Sequence, residues 1–543
     1  MNTILKTRRE FLEFFGSTTL ALSAAAAAPA FLTGCTTLPS DRHRSHRFIK
    51  PTDKDEVIVP KGIHQRLLLK YQDPLSPQGL QYGTNNDFTA FIAKDSRNPT
   101  DGILMVNHES VHPLFVSGHD FRSGQPKTRR QVELEQAAVG VSLVRFYQDG
   151  GTWKVDTKSP WNRRITGQTM ISLASEHPIE GSRQAKGTFA NCAGGQTPWG
   201  TFLTCEENYD HFYGEFDYSK SATSRKSERE YARPDLEWHR YEDCPPAHYG
   251  WVVEIDPWTG SAKKLTSLGR FAHEGAKCTM TRDGRVAVYM GDDAAGEFLY
   301  KFISDSGSSL EKGTLYVAQL ETGRWLPVTM DSIPEFKSRF RNHTDLMVRT
   351  REAARALKAT PLDRPEDIEI NPANEDVIVA LTNNSKTGNL HGSLLKIQET
   401  NRDPGSLTFQ SSTWISGGPQ AGLSCPDNLA FDKSGNLWVT TDISGDKMNQ
   451  GPHAPFKNNG LFYIPMKGPE AGQVFQVASA PRDAEFTGPM FTPDGETLIL
   501  SVQHPGEQTR DLKSPTSTWP DGGLPRSGLI ALSGETLSQL VNN

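Results

Sequence analysis

The sequence predicts an all-β fold of the propeller type, and three observations carry that prediction. Its 543 residues include 47 glycines and 35 prolines, which favours turns over long helices. Short apolar runs at 102–106, 286–290, 376–381, 437–441 and 498–502 are set off by turn residues such as Asp283-Gly284, Ser434-Gly435 and Asp494-Gly495. Residues 364–382, 425–442 and 486–503 repeat one layout of polar entry, apolar strand, turn and second apolar strand. The entries at Glu366, Asp427 and Thr487 lie about 60 residues apart, beyond the roughly 40–50 of compact blades and compatible with blades that carry insertions. His273-Glu274-Gly275, ahead of the 281–285 turn, reads as an earlier copy. In a propeller the inner strand of every blade faces the axis, so equivalent entry residues converge on one mouth. A β-sandwich of like composition would leave the recurrent acidic entries unexplained.

Along the chain, residues 7–12 read Thr-Arg-Arg-Glu-Phe-Leu and precede a weakly apolar, alanine-rich run to Leu32, the pattern of a twin-arginine export signal over 1–35. Leu32-Thr33-Gly34-Cys35 resembles a lipobox, which would anchor the chain through Cys35; the alternative is cleavage near 28–30 and release. The polar stretch 36–60, with Pro51 and Pro60, reads as a flexible leader, and 61–543 as a single domain. The signal is too short and alanine-rich to persist as a transmembrane helix, so the expected location is the periplasm or cell surface, and a monomer is expected. Segment 213–240 is densely charged and reads as a surface excursion. Segment 348–359 has the highest helix propensity, is closed by Pro361, and is expected to cover an edge or one end of the barrel. A net charge of -6 and pI near 6.2 argue against a nucleic-acid partner, and the basic run 127–130 is too brief to change that.

The chemistry concentrates in Asn191-Cys-Ala-Gly-Gly-Gln-Thr-Pro-Trp-Gly-Thr-Phe-Leu-Thr-Cys-Glu-Glu207. Cys192 offers one soft ligand and Glu206 and Glu207 two hard ones, while the alternative is a turn feeding a strand with Cys192 and Cys205 buried as small hydrophobes. Besides Cys35, five cysteines remain, at 192, 205, 244, 278 and 425; an odd number in an exported protein leaves at least one thiol free or on metal. The polar entries collect as Asn107-His108-Glu109, Cys192, Glu206-Glu207, His273-Glu274, Asp292-Asp293, Glu297, Glu366-Asp367, Asp427-Asn428 and Glu485. So many carboxylates in one low-dielectric mouth demand cations. Oxygen ligands suit calcium, and a thiolate among them points to iron or zinc; Cys-x-x-Cys and His-Glu-x-x-His are both missing. His108 and His273 are either ligands or groups that orient the carboxylates. One of Arg163 and Arg164, adjacent and therefore facing opposite ways in a strand, is a candidate phosphate clamp; the alternative is a pair of ordinary surface arginines. Asp432 and Asp494 read as turn residues. No Gly-x-Ser-x-Gly elbow is present, so the expected attacker is a metal-bound hydroxide or oxo group in an in-line displacement.

These residues resemble the PhoX-type alkaline phosphatases. The likeness rests on 191–207 and on Tyr82-Gly-Thr-Asn-Asn-Asp-Phe88, Trp161-Asn-Arg-Arg-Ile-Thr166, Phe271-Ala-His-Glu-Gly275, Tyr289-Met-Gly-Asp-Asp293 and Thr518-Trp-Pro-Asp-Gly-Gly523, in order over nearly all of the mature chain. The resemblance implies a six-bladed propeller with inserted helices and loops, twin-arginine export, and hydrolysis of phosphate monoesters to inorganic phosphate. It also implies two ferric and three calcium ions with a bridging oxo or hydroxide. Carried onto this chain, Cys192 is the thiolate ligand of iron and Glu274 its best carboxylate partner. Glu206, Asp292, Glu366, Asp427 and Glu485 are the further metal candidates, with Arg163 and Arg164 at the substrate. Trp161 replaces the family's usual tyrosine, and Tyr82-Gly-Thr84 its usual Phe-Gly-Tyr. Two other readings compete: a calcium-dependent lactonase-like hydrolase, and a lipid-anchored binding or scaffold propeller without activity.

Overall fold

The computed structural model describes residues 46–233 and 235–543. The export signal over 1–35, its Cys35 and the first part of the leader lie outside the described residues.

Six sheets of four to six strands form the blades. Their inner strands are Asn86–Ala93, Asn191–Gln196, His273–Met280, Pro365–Ile370, Pro426–Phe431 and Glu485–Phe491, called here blades 1 to 6 in that order. Each inner strand touches the next, and blade 6 touches blade 1, so the ring is closed. Its closure draws on both ends of the domain: His64–Lys70 adds to blade 6 as the outermost strand, antiparallel to Gly528–Ser533.

Apolar strands explain why the blades stack. The second strands of blades 3 and 5, Val286–Asp292 and Leu437–Thr441, are buried at every position, as strands covered on both faces must be. Each seam between blades has its own apolar cluster. Val253 and Ile255 meet Ile103 and Met105 between blades 1 and 2, Val377 and Val379 meet Ala287 and Tyr289 between blades 3 and 4, and Leu498 and Leu500 meet Trp438 and Leu461 between blades 5 and 6.

All six inner strands carry the same irregularity near their start. In blade 1, Asn86 pairs with His108 and Thr89 with Val106, so three steps on the inner strand answer two on its neighbour; the same offset recurs in blades 2 to 6. One extra residue per strand is a β-bulge, which re-aims a side chain and sharpens the local twist. Asp87, Cys192, Glu366 and Asp427 occupy the residue just after the last regular pair, at the head of the bulge. Blades 3 and 6 place glycine there, Gly275 at φ 76° and Gly488 at φ 54°, and in blade 3 the acid sits one residue earlier, at Glu274.

Several segments differ from their sequence reading. The stretch read as a flexible leader is packed from Phe48 onward: Phe48 stacks on Phe475 with ring centroids 4.4 Å apart, Val57 is buried, and Ile58 bridges Ser479. An aromatic and a β-branched residue within a polar stretch supply that anchorage, so the folded domain begins before residue 61. The predicted helix over 348–359 is two short helices, His343–Val348 and Thr350–Ala356, because Arg349 departs from helical geometry between them. The charged excursion buries Tyr213, Leu236 and Trp238 against a helix that the sequence reading did not single out, Arg129–Ala138, opened by a Thr128/Gln131 capping box. Lys127, from the brief basic run, is buried on Glu135 at 2.7 Å. Among the described residues no helix is long and apolar enough to cross a membrane.

Gly488 tests this architecture. A Cβ there would lie 2.6 Å from the Asp87 carbonyl oxygen across the blade 6/blade 1 seam, at a φ that side chains resist. Gly488→Ala is therefore expected to lower stability by roughly 1–3 kcal/mol, measured by denaturant unfolding; an unchanged midpoint would contradict the seam as described.

Candidate metal centre

The bulged inner strands bring their acidic residues together at one end of the axis. Three overlapping groups have ligand atoms within 4.8 Å of one another: Asp87, Glu109 and Cys192; Cys192, Glu207 and Glu274; Glu274, Glu366 and Asp427. Shared members join them into one array of seven donors drawn from blades 1 to 5. Cys192 Sγ sits near its middle, 3.2 Å from both Asp87 Oδ2 and Glu274 Oε1. Neighbouring strands fix this geometry. Asn107 Nδ2 donates to the Cys192 and Ala193 carbonyls, binding blade 1 to the thiol segment, and Ser501 Oγ donates to the Asp87 carbonyl from blade 6. Asp367, next to Glu366, faces the adjacent seam and accepts from Leu429 N, tying blade 4 to blade 5.

The electrostatics of this array are adverse. Burial first, and the apposed carboxylates second, push Asp87, Glu207, Glu274, Glu366 and Asp427 well above the ordinary carboxylate range. The Cys192 thiol is driven up by burial and then by Asp87 and Glu274. Asp87 Oδ1, Glu207 Oε1, Glu274 Oε2 and Glu485 Oε2 are buried without a hydrogen-bond partner. Unpartnered buried acceptors are rare and costly, and four in one mouth match the requirements of bound cations. The donor types fit as well: a thiolate suits a transition ion and the surrounding oxygens suit calcium.

The residues singled out from the sequence divide into two groups. Cys192, Glu274, Glu366 and Asp427 lie in the array, together with Glu109 and Glu207 from the wider set of polar entries. Glu485 stands beside it, 2.9 Å from His504 Nε2, and burial followed by Asp442 raises its carboxyl to about 8. Glu206 is placed otherwise: Lys264 Nζ lies 2.6 Å from it in a fully buried pair, and the Gly250 and Trp251 amides donate to its other oxygen. Strand alternation turns Glu206 into blade 2, and its neighbour Glu207, beyond the strand end, reaches the array. Asp292 is taken by the Arg351 fork, at 2.5 and 2.9 Å, delivered by the helix Thr350–Ala356. Arg163 bonds the Trp161 and Trp258 carbonyls, and Arg164 those of Gln81, Ala138, Val139 and Val141, so both guanidiniums are engaged by backbone away from the acidic array. His108 is held between Thr84 O and Ser142 Oγ, and His273 Nε2 faces Gly269 O. Asp432 and Asp494 each accept amides from their own turns. All five cysteines among the described residues are free thiols.

Sequence reasoning missed Asp87 and Arg364. Asp87 was legible in principle, since Asn86-Asp87 has the same place at the start of its strand as Pro426-Asp427. Arg364 grips Asp293 with two nitrogens at 2.7 and 2.9 Å, and its Nη2 lies 2.7 Å from Glu366 Oε1 without hydrogen-bond alignment. It also reaches Asp442 at 3.4 Å, which embeds its charge among the acids of the mouth.

A cavity of about 910 Å³ opens beside the array, shares Glu109 with it and is also lined by Glu485. Its wall combines Phe115, Phe121, Phe212 and Leu236 with Arg233, Arg510, His211 and His504. Burial opposes a charge on His504, but Glu507 and Glu485 outweigh it and hold the imidazole protonated well above its ordinary range.

Comparison with known proteins agrees with this geometry. Residues 45–506 match the family described as Alkaline phosphatase PhoX. Among solved structures, Pseudomonas fluorescens PhoX in complex with vanadate, a transition state analogue, superposes with a TM-score of 0.80 at 30% identity, covering 90% of this chain and 98% of that one. A Dyadobacter fermentans protein of unknown function gives a TM-score of 0.41 at 11% identity over 88% of this chain and 100% of its own. A Xanthomonas campestris gluconolactonase gives 0.36 at 10% identity over 90% and 100%. No curated protein matches the chain. The family match spans most of the sequence and includes every residue of the acidic array, so the chain belongs to the alkaline phosphatase PhoX family.

Proposed function

We propose that this phosphatase hydrolyses phosphate monoesters to inorganic phosphate by in-line displacement in the axial mouth, at a mixed cluster of two ferric and three calcium ions with a bridging oxygen. The observation that carries the proposal is the linked array of one thiol and six carboxylates with orphaned oxygens. Iron belongs on the Cys192 side and calcium among the carboxylates. Bound there, the cations would supply Lewis acidity toward the phosphoryl oxygens and lower the pKa of a water molecule. The demand is large, since unaided phosphate monoester hydrolysis leaves ~20 kcal/mol or more for the enzyme to overcome. The Pseudomonas relative is in complex with vanadate, a transition state analogue, which supports a phosphoryl-transfer reading of this chain.

The chain's own groups do the positioning. Arg364, its fork locked on Asp293, holds a fixed positive charge at the mouth, which the backbone-bound Arg163 and Arg164 do not. His504 keeps its protons on Nε2, toward Glu485 Oε1, and on Nδ1, toward Asp483 O, and so serves as fixed countercharge. Arg233 and Arg510 line the cavity, have no ion-pair partner among the described residues, and would draw anionic esters inward. Twin-arginine export and lipid attachment at Cys35 are part of the same proposal. Exchange of Arg8 and Arg9 for lysine is expected to leave the protein in the cytoplasm, as read by fractionation.

Cys192→Ala and Glu207→Gln are expected to lower kcat/KM for p-nitrophenyl phosphate by about a hundredfold or more, with loss of bound metal. Glu206→Gln should keep the metal and instead lose roughly 3–5 kcal/mol of stability, because Lys264 is left buried without its partner. Wild-type turnover by Cys192→Ala would refute the thiolate's role.

Chelation yields a signed pH effect. The Glu485 carboxyl is raised from 4.5 to about 8, so its contribution to stability is complete below 4.5 and is lost as pH rises toward 8. The other raised carboxylates act in the same direction. Metal-depleted protein is therefore expected to melt at progressively lower temperature across that window, whereas metal-replete protein keeps its melting temperature.

A further inference from the structure

We infer that Asp55, in the stretch ahead of the first strand, is a positioning residue for the wall of the substrate cavity, and that it sets the affinity for esters with bulky leaving groups. The inference rests on the phosphatase reading.

The stretch 48–58 runs along blade 5 as a strap secured on both sides of Asp55. Before it, Phe48 stacks on Phe475, Ile49 N donates to Gln476 O at 2.9 Å, and Asn458 N donates to Thr52 O at 3.1 Å. After it, Ile58 and Ser479 exchange two backbone hydrogen bonds of 3.0 Å. Asn458 Nδ2 holds the intervening Lys54 carbonyl at 2.9 Å. The backbone at Asp55 is thereby fixed, and its carboxylate projects from the strap to a different blade.

There it meets the long connection in blade 6 between the strands Thr497–Gln503 and Gly528–Ser533. Asp55 Oδ1 accepts from Ser517 Oγ at 2.5 Å and from Arg482 N at 3.3 Å; Oδ2 accepts from Thr518 N at 2.7 Å and Thr518 Oγ1 at 3.2 Å. The connection, residues 504–527, contains neither helix nor strand, and a structureless loop of that length in a compact domain is most often functional. From Ser517 the linkage continues inward. Thr516 Oγ1 donates to Asp483 Oδ2, Thr516 N donates to Thr509 Oγ1 at 3.0 Å, and Thr509 precedes Arg510 on the cavity wall.

Arg510 depends on this loop for its position. Among the described residues its guanidinium donates only within the loop, to Glu507 O, Thr509 O and Gln508 Oε1, and no carboxylate lies within ion-pair distance. His504, Gln508, Pro525 and Arg526 of the same loop also line the cavity. The inorganic phosphate moiety is expected at the acidic array itself, whereas the leaving group of an ester must lie against this wall. Loosening the loop should therefore weaken ester binding while the array keeps its chemistry.

The test compares Asp55→Ala and Ser517→Ala in the exported, metal-replete enzyme. Asp55→Ala is expected to raise KM for p-nitrophenyl phosphate about tenfold, the scale of one lost charge-assisted hydrogen bond. The kcat and the Ki for inorganic phosphate should both stay within about twofold, since both are set chiefly by the acidic array, whose members all lie outside the loop. Ser517→Ala should move KM in the same direction by less, and the double variant should add little to Asp55→Ala, because both remove one linkage. Trypsin should cut Asp55→Ala faster than wild type after Arg510 or Lys513. An unchanged KM with unchanged trypsin resistance would overturn the inference. So would a parallel shift of KM, kcat and Ki with a lower melting temperature, the signature of general destabilisation. If the wild-type enzyme hydrolysed no phosphate ester, the phosphatase reading would fall, and the trypsin comparison would still decide whether Asp55 holds the loop.

Discussion

Like charges forced together in a closed ring are the constraint on which the rest of this structure depends. Closing six blades directs the start of every inner strand at one mouth, and five of those strands contribute Asp87, Cys192, Glu274, Glu366 and Asp427 there. Water is largely excluded, so each carboxylate raises the pKa of the next and several oxygens find no donor. Protons relieve such a site in acid; cations relieve it at the alkaline pH implied by the family. The geometry that is most unfavourable for bare carboxylates is the one best suited to holding cations.

The protein gathers that charge with one repeated device. A one-residue bulge in each inner strand breaks the ordinary alternation and lets a residue near the strand start face the axis, while the following residues resume the pleat and pack the seams. Blades 3 and 6 use glycine at the bulge. In blade 3 this shifts the acid by one position; in blade 6 it brings Gly488 hard against the Asp87 carbonyl, so the first and last blades close tightly. Fixed cations from the protein surround the array without filling it. Arg351 holds Asp292, Lys264 holds Glu206, and Arg364 spans Asp293 and the edge of the array. Acids with a built-in partner are thereby largely separated from acids that lack one, Glu366 beside Arg364 being the member that touches both sets, and the second set defines the candidate metal centre.

Much of this could be read from the sequence because the fold repeats. The entries at Glu366 and Asp427 share a layout with a detectable turn and strand, so their convergence followed from the propeller alone. The thiol of Cys192 was recognisable by its glycine-rich setting. Glu206 and Asp292 were harder: each sits beside another acid, and only strand direction and a distant cation, Lys264 or Arg351, determine which member of the pair faces the mouth. Arg163 and Arg164 looked like a phosphate clamp because sequence shows charge and not the carbonyls that occupy it. Asp55 lay in a stretch whose polar composition suggested a tether, and its role depends on contacts more than 400 residues away along the chain, which no local pattern records.

The central claim, that the acidic mouth is organised around cations with a sulfur ligand among them, is tested most directly by elemental analysis of protein exported by its native route, combined with anomalous scattering from its crystals. The account predicts iron beside Cys192 Sγ and calcium among the surrounding carboxylates, in more than one ion per chain. Fully active protein that contains neither metal, or ions bound only at sites remote from Cys192 and Glu274, would contradict it.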